Sequence, residues 1–178
     1  LKANLGKDNT IFIGSSLDFC HPEIQTEWIL KTLDHCNKYI KDNLYLLQTK
    51  NPERFLEQDI HNHPLMQNKE QVILCTTIET NRDTTKISKA PTPTKRAEAM
   101  MQLSQIGFRT MATTEPILDF DLDEMVALLK SFNPEQVNIG CNSNHGIILP
   151  EPSKEKLVAL IRELREYVPT VELKSNSK

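Results

Sequence analysis

Apolar and polar residues alternate along the chain in blocks, and the blocks change period. Short β-branched runs of four to eight residues are followed by longer stretches in which apolar side chains recur every three or four positions. "TIFIGS", Thr10 to Ser15, predicts a first strand. Trp28, Ile29, Leu33, Cys36 and Ile40 then fall at helical spacing and predict an inward-facing stripe. "NLYLLQTK", Asn43 to Lys50, predicts a second strand, and Asn51-Pro52 opens a short helix with proline in its first turn. "EQVILCTTI", Glu70 to Ile78, predicts a third strand. A polar stretch runs on to Pro91. Thr92-Pro93 should cap a helix that carries Ala99, Met100, Leu103 and Ile106 and stops at Gly107. "FRTMATTEPI", Phe108 to Ile117, is the fourth strand. Asp121 with Glu124 reads as a capping box, ahead of Leu122, Met125, Val126 and Leu129 on a buried helix face. "QVNIGCN", Gln136 to Asn142, "SKEKLVALIRELREY", Ser153 to Tyr167, and "TVELKS", Thr170 to Ser175, complete the pattern as strand, helix and strand.

Strand and helix thus alternate with a period of roughly 25 to 35 residues, the pattern of βα units and a parallel sheet. The expected fold is α/β: a partial (β/α)6, TIM-like barrel or a curved parallel sheet, in one domain spanning residues 1–178. Trp28 and the Met100-Met101 pair are expected in its core.

The first five strands share a second feature: each is apolar in its body and polar at its C-terminal end. Gly14, Ser15, Ser16 and Asp18 follow the first, Thr49 and Lys50 end the second, and Thr77, Glu79, Asn81 and Arg82 end the third. Thr113, Thr114 and Glu115 end the fourth, and Asn142, Ser143 and Asn144 end the fifth. In a parallel sheet these ends share one edge, where barrels and open α/β sheets bind ligands. A polar ligand site is therefore expected there. Turn and cap chemistry accounts for part of the pattern. Glu79 and Glu115 stand out, because a carboxylate directly after a buried strand must be solvated, paired or ligand-bound.

Composition narrows the function classes. Of 178 residues, 38% are apolar and 25% charged, which fits a globular fold with a real core. No apolar run approaches the roughly 20 residues of a membrane span and no charged-then-apolar leader opens the chain, so a soluble cytoplasmic protein is expected. The net charge of −3, from 21 basic and 24 acidic residues, gives no support to nucleic-acid binding built on charge. Cys20, Cys36, Cys75 and Cys141 form no CxxC or CxxxC pair and are expected as reduced, mostly buried thiols. His61-x-His63 lies in a polar loop without a third ligand at metal spacing, and Cys20-His21 before Pro22 reads as a turn. "GKDN" lacks the rest of a phosphate loop. The open edges of an incomplete barrel call for a protein partner or a homodimer to cover them.

"TTIETNRD" followed by "APTPTKRAEAMMQLSQIGFRTMATTEPILDFDLDE" resembles the radical S-adenosylmethionine superfamily. Within it the match is to the spore-photoproduct-lyase-like branch and a related, uncharacterised phage-associated family. "IFIGSSLDF" and "LYLLQTKNPERF" upstream and "VNIGCNSN" downstream fall in the family's order, so the resemblance spans residues 10–145. It implies a partial (β/α)6 barrel that holds S-adenosylmethionine against a [4Fe-4S] cluster, cleaves it reductively and abstracts hydrogen from a substrate. It also implies that Gly14, Ser15 and Ser16 lie near the methionine amino group, and that Thr77 and Glu79 contact the ribose. Arg96 or Arg82 would meet the methionine carboxylate, and Thr49 joins the same set of cofactor contacts. Thr114, Glu115 and Asn142 would lie near the adenine or substrate. The family's CxxxCxxC loop has no counterpart among these 178 residues, and three thiolates from one loop are what hold such a cluster. The first strand here aligns with the family's second. Leu1 and the first nine residues read like the end of a connecting segment, so the expectation divides. In one case an N-terminal βα unit carries the cluster loop. In the other, a degenerate relative acts as a binding or regulatory protein. A third expectation is a hydrolase or transferase using Glu79 and Glu115 as acid and base, which requires one raised pKa.

Overall fold

The computed structural model describes residues 3–143 and 148–174, and within them six strands form one parallel sheet in the order β1-β2-β3-β4-β5-β6. These are β1 (Asn9–Ile13), β2 (Asn43–Thr49), β3 (Val72–Thr77), β4 (Arg109–Thr114), β5 (Gln136–Ile139) and β6 (Thr170–Leu173). Each strand pairs with its sequence neighbour, and the sheet curls into a half-barrel with helices between the strands. Every crossover therefore runs to the adjacent position in the same direction, which is how consecutive βα units close toward a barrel.

The helices cover the convex side. They are α1 (Thr26–Asn37), α2 (Gln58–His61), α3 (Pro64–Gln67), α4 (Pro93–Gln105), α5 (Leu122–Lys130) and α6 (Lys154–Arg165), with a 3₁₀ turn at Pro52–Leu56. Alternation along the strands sorts the side chains between the two faces. Tyr45, Leu47, Leu74, Ala112 and Val137 point to the helices and are buried against Ile29, Leu33, Leu103, Met125 and Leu160. Tyr45 also donates to Cys36 O of α1 at 2.8 Å, which satisfies its hydroxyl inside that layer.

Local chemistry sets the helix ends. Thr92 Oγ1 accepts from Lys95 N ahead of Pro93 in α4, and Ser153 Oγ accepts from Lys156 N at the start of α6. Asp121 occupies the N-cap of α5 but makes no side-chain cap bond there. The expected capping box is absent because Arg82 binds both Asp121 carboxylate oxygens, at 2.7 and 2.9 Å. A charged guanidinium outcompetes a backbone amide for that carboxylate.

Three further expectations are corrected by the packing. Trp28 is 61% exposed on the outer face of α1, with Lys31 Nζ over its ring, so it is not a core residue. His63 is buried rather than solvated: its Nδ1 accepts from Leu65 N, and its Nε2 donates to Asp34 of α1 at 3.1 Å. His61 closes α2 and stacks edge-on with Phe108 instead of lying in a loop. The strands also end sooner than their apolar runs suggest: β4 stops at Thr114 and β5 at Ile139. The proposed end of the last strand, Ser175, lies outside the described residues, as does Asn144.

Candidate functional site

Because the strands are parallel and in register, side chains on the concave face form rows across the sheet. One row runs Gln48, Cys75, Met111, Gln136 and Thr170. The next, nearer the C-terminal ends, runs Thr77, Thr113, Asn138 and Glu172, with Lys50 following β2 at the same level. Two adjoining hollows open over these rows and share Gln48. One, of about 220 Å³, is lined among others by Phe12, Ser15, Gln48, Thr113, Glu115, Asn138 and Lys174. The other, of about 140 Å³, is lined by Gly14, Asp18, Gln48, Thr49, Lys50 and Thr77. Together they reach the low end of the roughly 300–1,000 Å³ occupied by small-molecule sites.

Gly14 makes the junction between β1 and β2 possible. Its φ is +103°, and a Cβ there would stand 2.1 Å from Gln48 O, so only glycine fits. The loop that follows brings in Asp18, whose Oδ1 accepts from the Thr49 hydroxyl at 2.6 Å and from Cys20 N at 3.1 Å. Asp18 Oδ2 accepts from Lys50 N at 2.8 Å. One carboxylate thus ties the β1 loop to the end of β2 and fixes the wall of the smaller hollow.

Glu79 is buried just past β3 and lies between two cations. Arg96 of α4, fully buried, donates from Nη1 to Glu79 Oε2 at 2.6 Å and to Thr77 O at 2.8 Å, and from Nε to Pro91 O at 2.6 Å. Lys50 Nζ donates to Glu79 Oε1 at 3.1 Å while its side chain stays 37% exposed toward the smaller hollow. Burial by itself would raise the Glu79 carboxyl, but the Lys50 ammonium and the Arg96 guanidinium outweigh it and hold the group below the usual carboxylate range. For Glu79, the raised pKa that a general-acid role would require is replaced by a lowered one.

The structure gathers Gly14, Ser15, Thr49, Thr77 and Glu115 around the two hollows, with Glu79 behind Lys50. Ser16 follows on the exposed part of the β1 loop. Other expected site residues lie elsewhere. Thr114 faces the helices, with its hydroxyl 3.3 Å from Asn138 O. The Arg96 guanidinium is engaged by an internal carboxylate, so a ligand carboxylate would have to displace Glu79 to reach it. Arg82 bridges Asp119 and Asp121 on the outer rim, and its hydrogen bonds hold the Asp121 carboxyl down to about 2. Asn142 donates its backbone N–H to Glu151. Sequence reasoning missed Gln48, Asn138, Met111 and Lys174. For Asn138 a signal existed: a polar residue inside a strand, between the apolar Val137 and Ile139.

The cysteines do not fit an iron–sulfur cluster. Cys20 lies in the β1 loop, Cys36 in α1, Cys75 in β3 and Cys141 after β5; the first three are buried, and burial pushes Cys75 up to about 12 and Cys36 to about 11. Such thiols resist forming the thiolates that metal ligation needs. Among the described residues no group of three His, Cys, Asp or Glu side chains is arranged to hold a metal ion. No helix among them is long and apolar enough to cross a membrane. Comparison with protein-family profiles, with curated proteins and with solved structures returned no match.

Proposed function

We propose that the concave face of this half-barrel is a binding site for a small polar ligand with an anionic group, and that the ligand is S-adenosylmethionine, in a module of the radical S-adenosylmethionine type. The observation that carries this reading is the Lys50 ammonium, held over the smaller hollow by the buried Glu79–Arg96 pair. Lysine alone on a flexible stem is a poor recognition element because ordering it costs rotamer entropy. Anchored on Glu79, it is preorganised, and its remaining N–H groups are available to a ligand carboxylate. Gln48, Thr77, Thr113 and Asn138 add amide and hydroxyl groups suited to the ribose and to the edge of a base.

S-adenosylmethionine brings an activated sulfonium–carbon bond. The chain's residues bind and orient such a ligand and shield it from water on the sheet side. The scattered, mostly buried thiols among the described residues do not fit an iron–sulfur cluster. The reading is thus of a cofactor-binding half-barrel, and a catalytically degenerate binding protein would use the same site.

Titration calorimetry with S-adenosylmethionine tests it. Saturable binding is expected, weakened about tenfold or more by Lys50→Met, the loss of a charge-assisted hydrogen bond. Lys86→Met, on the exposed loop after β3, should leave affinity unchanged. An absence of saturable binding at millimolar ligand, or equal affinity in the Lys50 variant, would sink the proposal.

A further inference from the structure

Among the described residues β6 has a strand beside it on one side only, and its hydrogen bonds show which backbone groups that leaves outward. Thr170 N donates to Glu135 O and Lys174 N to Ile139 O, so the even-numbered residues turn their amides toward β5. Val171 and Leu173 therefore point theirs, N–H and C=O alike, away from the sheet. Beside them, on the convex side, a groove of about 470 Å³ runs between α6 and β6, lined by Val158, Ile161, Leu173, Arg162, Arg165 and Glu166. Val158 and Leu173 are 57% and 48% exposed there. An edge that offers backbone pairing next to exposed aliphatic side chains is a template for another strand.

The strand that fits is β6 of a second copy, because both layers match themselves about a two-fold axis normal to the sheet. Such an axis pairs the two β6 strands antiparallel, and three centres come into question. Centred on Val171, Leu173 would meet Pro169 of the partner subunit, which has no N–H to give. Centred on Glu172, two like carboxylates would stand opposite each other. Centred on Leu173, the two Leu173 residues exchange both hydrogen bonds, and Glu172 of each copy meets the partner's Lys174, which keeps Glu115 on its own side. The helices make the same choice. Leu173 shares the groove with Val158, so the axis passes near Val158, and α6 helices antiparallel about that point set Glu155 against the partner's Arg162. Glu155, Val158 and Arg162 are spaced i, i+3 and i+7 on one helix face, and all three are exposed. We propose that β6 and α6 form a self-complementary dimer surface that joins two six-stranded half-barrels into one continuous sheet, with Leu173 at the two-fold axis. The paired segment is short, so the dimer is a weak one, and dilute protein keeps β6 as a free edge.

Analytical ultracentrifugation over a dilution series from about 500 µM to about 1 µM tests it. Sedimentation should pass from dimer to monomer, and the β6 amides should lose hydrogen-exchange protection over the same range while those of β1 stay unchanged. Val158→Glu brings two like charges to the axis and should weaken association about tenfold or more. Val158 is exposed in the single chain, so its fold should be unaffected, and circular dichroism checks this. Arg162→Glu should weaken association likewise by facing Glu155, and combining it with Glu155→Arg should restore it, a rescue that a misfolded variant would not give. A monomer at every concentration, a dimer in which β1 rather than β6 gains protection, or association unchanged in both Val158→Glu and Arg162→Glu overturns the proposal. It goes beyond the ligand reading above, and neither outcome bears on S-adenosylmethionine binding.

Discussion

Arg96 shows how one residue can be read correctly in type and differently in role. A guanidinium is suited to a carboxylate, and Arg96 does bind one, but the carboxylate is Glu79 of the same chain. With Thr77 O and Pro91 O as its other acceptors, Arg96 pins the long segment between β3 and α4 to the sheet. Arg96→Met should therefore destabilise the fold by about 3–5 kcal/mol at neutral pH, because it leaves the buried Glu79 carboxylate with only the half-exposed Lys50 as its cation and removes the donor to Thr77 O and Pro91 O. Urea unfolding measures this. Glu79 titrates below the usual carboxylate range in the folded state. Its contribution is complete above the ordinary unfolded value near pH 4.3 and is lost as pH falls through the lower native value. The stability gap between wild type and Arg96→Met should accordingly narrow in acid. A gap that stays constant from pH 7 to pH 3 would show that the pair does not carry the difference.

At the scale of elements, helix starts separate local from tertiary control. Thr92 caps α4 through its own hydroxyl, so Thr92→Ala should cost about 1 kcal/mol. Thermal or urea unfolding with a loss below a few tenths of a kcal/mol would contradict a real cap. Asp121 has the same sequence credentials and does not cap α5, because Arg82 reaches it from the β3 loop across 39 residues of chain. The same contrast holds for strands. The body of each was legible from β-branched runs, but the point where pairing stops depends on the neighbour's register. Thr114 and Ile139 are the last paired residues of β4 and β5 because the chain then diverges into the loops around Glu115 and Gly140.

For the whole molecule, the sheet has β1 and β6 at its two edges among the described residues, each paired on one side only. β2, β3 and β4 lie inside and carry most of the sheet's buried aliphatic and threonine side chains. Native-state hydrogen exchange should find the slowest amides in β2 to β4 and markedly faster ones in β1 and β6. Uniform protection across all six strands would mean that something covers both edges in solution, as the expected protein partner or homodimer would do.

Hydrophobic period by itself determined the order and type of the main elements, because burial on one face imposes period 2 on strands and 3.6 on helices wherever they sit. It also determined the polarity of the strand ends, and thereby the edge on which a site would form. The short α2 and α3 escaped it, since four residues carry too little period to register. The site's composition was decided by tertiary structure. Parallel register alone places Gln48 in a row with Cys75 and Met111, and Thr113 beside Asn138, although tens of residues separate them in the chain. Lys174 reaches Glu115 only because β6 lies two strands from β4. Whether a polar side chain at a strand end faces the hollow, as Thr77 and Thr113 do, or the helices, as Thr114 does, turns on one residue of alternation and on where the sheet curls. A linear pattern shows the alternation but not which face is concave, because that follows from the helices packing on the other side.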